Sequence, residues 1–310
     1  MGGRMNTGSE GRKASDSLSF LLGYGMISHM RKVKKQMREP FVRVEDKPFL
    51  RLLEWEQSHP GLVAGFTIRT GGVSELPFES FNMGLHVGDN AGHVVANRRQ
   101  LAAQLEMPFD VWTCADQVHG HQVCRVMAGG AGKESLDDVI KATDGLYTTE
   151  KNVLLTSLYA DCVPLFFLDP VSGAIGLAHA GWKGTVQRIA EEMVQSLSQS
   201  CKSKPEDLLV ALGPSIGGCC YEVDERIMEQ VRKSVEQWEK AVTPAEREDR
   251  WMLDLRILNQ LILVDAGVNP AHISSADWCT SCRTDLFFSH RKEAGSKGTT
   301  GRMASYIGWK

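Results

Sequence analysis

Mixed β-sheets flanked by helices in one α+β domain are expected from three observations. From Phe41 onward, short apolar runs alternate with amphipathic helical patterns. The apolar runs at 153–158, 164–168, 174–178 and 208–212 are each bounded by turn residues, as strands are. No internal repeat or low-complexity linker divides residues 38–310, which therefore read as a single domain.

Residues 1–37 are set apart from that pattern. They are rich in Gly, Ser, Arg and Lys, and their one apolar patch, Leu18 to Ile27, is broken by Gly23 and Gly25. The segment is no signal peptide by composition and reads as a leader or expression extension, expected to be disordered. After it, the first strong helix runs from Asn90 to Leu105. Strands follow at Val153–Leu158 and at Pro164–Leu168, the latter joined by Asp169-Pro170-Val171-Ser172 to a return strand from Gly173 to His179. With Leu168 facing Gly173 in this hairpin, Cys162 comes opposite His179, β-carbons about 5 Å apart on one face.

A helix from Thr185 to Ser200 places Val186, Ile189, Ala190, Met193, Val194 and Leu197 on one face, a stripe that reads as core. Leu208–Leu212 is a further strand. Asp224 and Asp254 are placed to cap helices running to Trp238 and Ala266, and Gly267 ends the second.

Composition narrows the function classes. With 35 Lys+Arg against 38 Asp+Glu, a net charge of -3 and a pI near 6.3, no global field exists to hold a nucleic acid or an acidic membrane surface. No apolar run approaches the roughly 20 residues that span a bilayer. The eight cysteines are too sparse for a disulfide scaffold and fit a reducing cytoplasm. Cys279-x-x-Cys282 could be a redox pair or half a zinc site, but no second Cys-x-x-Cys accompanies it, and Cys219-Cys220 reads as small buried residues.

A Cys and a His facing across a hairpin can hold two corners of a zinc tetrahedron, with Zn–S near 2.3 Å and Zn–N near 2.0 Å. A third ligand would come from Asp116-Gln117-Val118-His119-Gly120-His121, where His119 leads and His121 competes. Each residue alone fits an ordinary packed or surface role as well.

Gln117-Val118-His119-Gly120, Ala160-Asp161-Cys162-Val163-Pro164 and His179-Ala180-Gly181-Trp182-Lys183-Gly184 strongly resemble the motifs of the laccase-domain family of YfiH type, also called multicopper polyphenol oxidase-like proteins. Arg69–Ser74, Asn82–Gly84, Asn97-Arg98, Leu212–Gly217, Tyr221–Val223, Cys279-Thr280 and Phe287–Ser289 with Arg291 resemble its other motifs, in family order, so the likeness covers nearly all the chain after the leader. The resemblance implies the YfiH-like fold, related to the catalytic domain of cytotoxic necrotizing factor toxins. It implies that His119, Cys162 and His179 ligate a metal: zinc, with copper possible. It also implies phosphorolysis of adenosine, inosine and methylthioadenosine, with purine nucleosides and phosphate as the small-molecule partners, and deamination of adenosine. A three-ligand metal suits deamination, because an open fourth position can hold and acidify water. Nine histidines are too few for a true multicopper oxidase.

Phosphorolysis needs cations to hold phosphate against C1′ of the ribose. Arg69, Lys183 and Arg291 are the candidates, although each also fits a surface cation. Asp161 could orient His179 or accept a proton, provided the chain turns between it and Cys162, since strand alternation would otherwise point it away. Asn82 and Ser215 fit turn roles better than substrate contacts. Rival readings are a Cys162–His179 hydrolase or deamidase, a copper-dependent polyphenol oxidase, and a non-catalytic peptidoglycan-editing factor around a structural zinc.

Overall fold

Apolar runs without polar alternation mark strands covered on both faces. The computed structural model bears this out. It describes residue 2 and residues 39–295 and 298–310, so apart from residue 2 the expected leader over 1–37 lies outside the described residues. Glu39–Lys310 cluster as one compact unit.

In chain order the elements are β1 (Val42–Arg43), β2 (Phe49–Arg51), α1 (Leu53–Ser58), β3 (Leu62–Thr67), α2 (Ala91–Gln104), β4 (Trp112–Cys114), β5 (Val123–Arg125) and β6 (Gly145–Thr148). They continue with β7 (Leu154–Tyr159), β8 (Val163–Leu168), β9 (Ile175–Ala180), α3 (Trp182–Val186), α4 (Ile189–Cys201), β10 (Leu209–Leu212) and β11 (Glu222–Asp224). The last are α5 (Glu225–Ser234), β12 (Val242–Pro244), β13 (Arg250–Leu253), α6 (Leu255–Asp265), β14 (Ile273–Ser275) and β15 (Met303–Trp309).

Two six-stranded mixed sheets result, one ordered β1-β2-β3-β15-β7-β4 and the other β14-β10-β8-β9-β6-β5, beside a small β11-β13-β12 sheet. Phe66, Leu155, Tyr159 and Ile307 of the first sheet pack on Phe166, Leu168, Ile175, Leu177 and Ala211 of the second. The outer face of the second sheet packs on α4, α5 and α6 through Leu165, Phe167, Met193, Met228, Leu258 and Ile262. The outer face of the first receives Leu101 and Leu105 around α2. The order of layers is therefore helix, sheet, sheet, helix, with each strand residue of β7, β8 and β9 buried.

The expected hairpin forms, with its register shifted. Pro164, not Cys162, faces His179, and Leu168 faces Ile175. The connection sits one residue later than expected because Asp169 pairs with Ala174, its N–H donating to that carbonyl at 2.8 Å. The Asp169 carboxylate accepts from the Val171 amide at 2.9 Å and the Ser172 hydroxyl at 2.6 Å, and Gly173 takes φ +74. A left-handed residue belongs in the loop and not in a strand, so Gly173 cannot face Leu168. A slip of two residues preserves the strand face, so Cys162 and His179 still approach.

The helix expected over 185–200 is two helices. Arg188 adopts φ +62 between α3 and α4, and its guanidinium donates to Glu191 and Asp265 at 2.5 Å and to the Ser234 carbonyl at 2.6 Å. These bonds hold a conformation that costs a non-glycine residue about 1 kcal/mol or more. Asn90, Asp224 and Asp254 cap α2, α5 and α6 through their side chains. The helix expected from 224 ends at Ser234, and a separate 3-10 turn covers Trp238–Ala241.

Candidate metal centre

Where β7 leaves the first sheet and β8 enters the second, Ala160-Asp161-Cys162 makes the crossing. Asp161 stands at φ +85, and this turn directs its carboxylate away from its neighbour. It accepts from Thr280 Oγ1 at 2.6 Å, Ser289 Oγ at 3.1 Å and the Arg291 amide at 2.7 Å. Three bonds to a buried carboxylate fix both the Cys162 turn and the backbone of Arg291.

His179 extends from β9 into the space between the sheets and is nearly fully buried, its ring 5.4 Å from that of Tyr159. His119 lies on the loop between β4 and β5 at φ +61, and its ring is 4.8 Å from that of His179, edge to face. The ligating atoms of His119, Cys162 and His179 all lie within 4.8 Å of one another. Among the described residues no further His, Cys or carboxylate joins that group. His121, the local competitor, instead contacts Gln187 at 2.6 Å.

One carboxylate holds this arrangement together. Asp144 accepts from His179 Nδ1 at 2.8 Å, and from the amides of Val118, His119 and Gly120 at 3.1, 3.0 and 2.8 Å. It thereby fixes the ring of one histidine and the loop that carries the other. The orienting role expected of Asp161 toward His179 thus falls to Asp144; Asp161 is occupied with Thr280, Ser289 and Arg291. Gln117 pins the same loop from its other end, exchanging two bonds with the Leu158 backbone at 2.8 and 2.9 Å.

The electrostatics are those of a thiolate beside an imidazolium. Burial by itself would raise the Cys162 thiol, but the His179 charge and bonds from His119 and His179 bring it down to about 6. Burial would lower His179, yet the Cys162 charge, and then the Asp144 bond, raise it to about 9. A thiolate at neutral pH is what a soft divalent cation requires. Two imidazoles and a thiolate converging without a fourth protein ligand are the donor set of an open zinc-type site. Gly181 lets the ligands approach, since a β-carbon at that position would lie 3.0 Å from both Cys162 Sγ and His119 Cδ2, tighter than ordinary contact.

The three residues form one wall of a cavity of about 590 Å³, the size of a small-molecule site. Leu158, Ile216, Tyr221 and Trp182 give it apolar and aromatic surface, and Arg291 and Arg302 bring guanidinium groups to it. Arg291 stacks over Tyr221 at 4.9 Å and donates to the carbonyls of Cys220 and Glu222. Arg302 donates through Nη1 to the Thr300 and Gly301 carbonyls, and its amide is held by Asn82.

Two expected phosphate cations are elsewhere. Arg69 and Lys183 do not line the cavity. Arg69 pairs with Glu293 at 3.0 Å, bonds the Thr284 carbonyl and lies 4.6 Å over the Phe288 ring, so it serves the fold. Lys183 is exposed, with Nζ 5.8 Å from the Trp182 ring. Sequence reasoning missed Asp144 and Arg302. Asp144 stands alone before an apolar strand and carries no local signal, while Arg302 follows glycine in a segment read only as the end of the resemblance.

Residues 63–310 match the family described as multi-copper polyphenol oxidoreductase laccase. The purine nucleoside phosphorylase YlmD of Bacillus subtilis is 44% identical over 266 residues, covering 84% of this chain and 94% of that protein. A purine nucleoside phosphorylase of Staphylococcus epidermidis is 34% identical, covering 88% of this chain and 100% of its own. Among solved structures, the Bacillus licheniformis hypothetical protein YfiH superimposes with a TM-score of 0.83 at 41% identity, and YlmD from Geobacillus stearothermophilus with 0.81 at 41% identity. Each match covers 88% of this chain and 100% of the other. Among the described residues no helix is long and apolar enough to cross a membrane.

Proposed function

Because the chain belongs to the multi-copper polyphenol oxidoreductase laccase family, whose similar members include proteins named purine nucleoside phosphorylase, we propose that it is a metal-dependent purine nucleoside phosphorylase with adenosine deaminase activity. The observation that carries the reading is the meeting of two features at one cavity: the His119–Cys162–His179 cluster on one side and the guanidinium groups of Arg291 and Arg302 on another. Adenosine, inosine and methylthioadenosine are the proposed nucleosides.

His119, Cys162 and His179 hold the metal, zinc by the donor set, with copper the competitor for the same ligands. Bound there, the metal would supply a Lewis acid. Arg291 and Arg302 bind the phosphate and orient one oxygen toward C1′ of the ribose. As that oxygen bonds to C1′, the C1′–N9 bond breaks, its electron pair goes to the purine, and the proton carried by the phosphate ends on the base. Tyr221, Trp182 and Leu158 give the purine apolar surface and exclude water. Asp161 is a positioning residue, because it fixes the Arg291 backbone and the Cys162 turn together. Deamination of adenosine is proposed for the same cavity, and the free thiols support a reducing, cytoplasmic setting.

A second reading is favoured by one observation. Asp144 bonded to His179 Nδ1, with Cys162 beyond the ring, is also the order of a carboxylate, base and thiol nucleophile. The two separate on metal removal: a chelator abolishes turnover in the phosphorylase reading and spares a Cys162 hydrolase. In the phosphorylase reading, adenosine yields adenine only when phosphate is added, and Cys162→Ala does not turn over. Adenine release by a metal-free chain would contradict it.

A further inference from the structure

Cys279 and Cys282 do have partners, which the sequence order hides. Folding brings Cys219 and Cys220 to them, so that four sulfurs lie within 4.8 Å of one another, on a surface apart from the His119 cluster. Cys282 Sγ is 3.6 Å from Cys219 Sγ and 3.4 Å from Cys220 Sγ. A disulfide requires about 2.0 Å. Four thiolates at about 2.3 Å around zinc stand about 3.8 Å apart by tetrahedral geometry, which is close to the spacing seen.

The backbone around the sulfurs is arranged for a charged cluster. The Gly217 amide donates to Cys279 Sγ at 3.3 Å, an amide-to-sulfur bond that favours thiolate. Both cysteine pairs sit on tight turns: the Cys220 and Tyr221 amides donate to the Gly217 carbonyl at 3.0 and 3.1 Å, and the Arg283 amide to the Cys279 carbonyl at 3.0 Å. Cys219 and Cys282 are exposed, so a cation can reach the group from solvent.

We propose that Cys219, Cys220, Cys279 and Cys282 form a second, closed metal site of four thiolates that takes zinc. Its binding displaces the thiol protons to solvent and joins two loops distant in sequence, 215–222 and 278–283, which otherwise meet at the Ser215–Cys279 bridge. The Cys220 and Glu222 carbonyls that position Arg291, and the Tyr221 ring under it, belong to the first of these loops. The site is therefore structural, holding a wall of the cavity without touching substrate. It does not depend on which reaction the cavity performs.

The test uses the full chain carrying Cys162→Ala, which removes the first site. After dialysis in metal-free buffer, this variant is expected to retain about one zinc per chain, and cobalt reconstitution to give thiolate-to-metal charge-transfer absorption. Adding Cys279→Ser and Cys282→Ser should remove both. If that triple variant does not fold, alkylation of the Cys162→Ala chain serves instead: the four thiols should react only after zinc is stripped by a chelator. Zinc absent, iron in its place, cobalt bound without charge-transfer bands, or a disulfide among these four cysteines in mass analysis would each overturn the proposal.

Discussion

Asp144 serves four donors with two oxygens, three backbone amides and the Nδ1–H of His179. An amide side chain cannot do this, because its nitrogen would face N–H groups. Asp144→Asn should therefore loosen the His119 loop and the His179 ring together, and lower metal affinity about 10- to 100-fold, read by competitive chelator titration. Unchanged affinity would remove Asp144 from the site. Gly181→Ala acts at the same scale: its new β-carbon meets Cys162 Sγ and His119 Cδ2 at 3.0 Å, and metal content after dialysis should fall while the fold persists by circular dichroism. His86 gives a pH signature. Desolvation, then the charges of Arg302 and Arg98, lowers it from 6.5 to about 4. Between those values the unfolded chain binds a proton that the folded chain refuses, so stability falls as pH drops from 6.5 toward 4. His86→Gln should flatten that slope in denaturant titrations, and parallel curves for the two proteins would contradict it. Cys162 and His179 were legible as a pair because strand periodicity brings them to one face. Asp144 was not, since its partners lie 24 to 35 residues away in sequence.

At the scale of elements, caps and apolar runs were the readable part. The Asn90 side chain accepts from the Gly92 amide at 2.8 Å, and α2 occupies the expected stretch within a residue at each end. Asn90→Ala should cost about 1 kcal/mol in chemical denaturation and leave metal content unchanged. A loss of metal with it would mean that the α2 cap is coupled to the ligands through Arg98, the α2 residue that lines the cavity. The break between α3 and α4 was not readable, because it depends on Arg188 reaching Asp265 and Ser234, remote in sequence, and not on any Gly or Pro. The hairpin register missed by two for a local reason, the side-chain turn at Asp169, which outcompeted the simpler pairing of Leu168 with Gly173.

For the whole molecule, mixed α and β was legible from periodicity, but the stacking of two sheets between helices was not. That architecture depends on β15, the last strand, entering the middle of the first sheet between β3 and β7. Such pairing has no local signature, and neither has the meeting of Cys219-Cys220 with Cys279 and Cys282. The layering explains why the site lies where it does: the chain passes between sheets at Asp161-Cys162, and the cavity opens at that crossing. Arg291 belongs to this scale, since it is held by Asp161 on one side and by the 220–222 carbonyls on the other. Arg291→Ala should raise the KM for phosphate at least tenfold with metal content intact; an unchanged KM would place the anion elsewhere.

Phosphorolysis of purine nucleosides in the cavity beside His119, Cys162 and His179 is the proposed activity. Product analysis of metal-quantified protein with adenosine, with and without phosphate and alongside Cys162→Ala, tests it most directly. Adenine and ribose 1-phosphate formed only with phosphate, and absent in the variant, is the expected result. Adenine release that ignores phosphate, or survives the loss of Cys162, would rule out phosphorolysis at this metal centre.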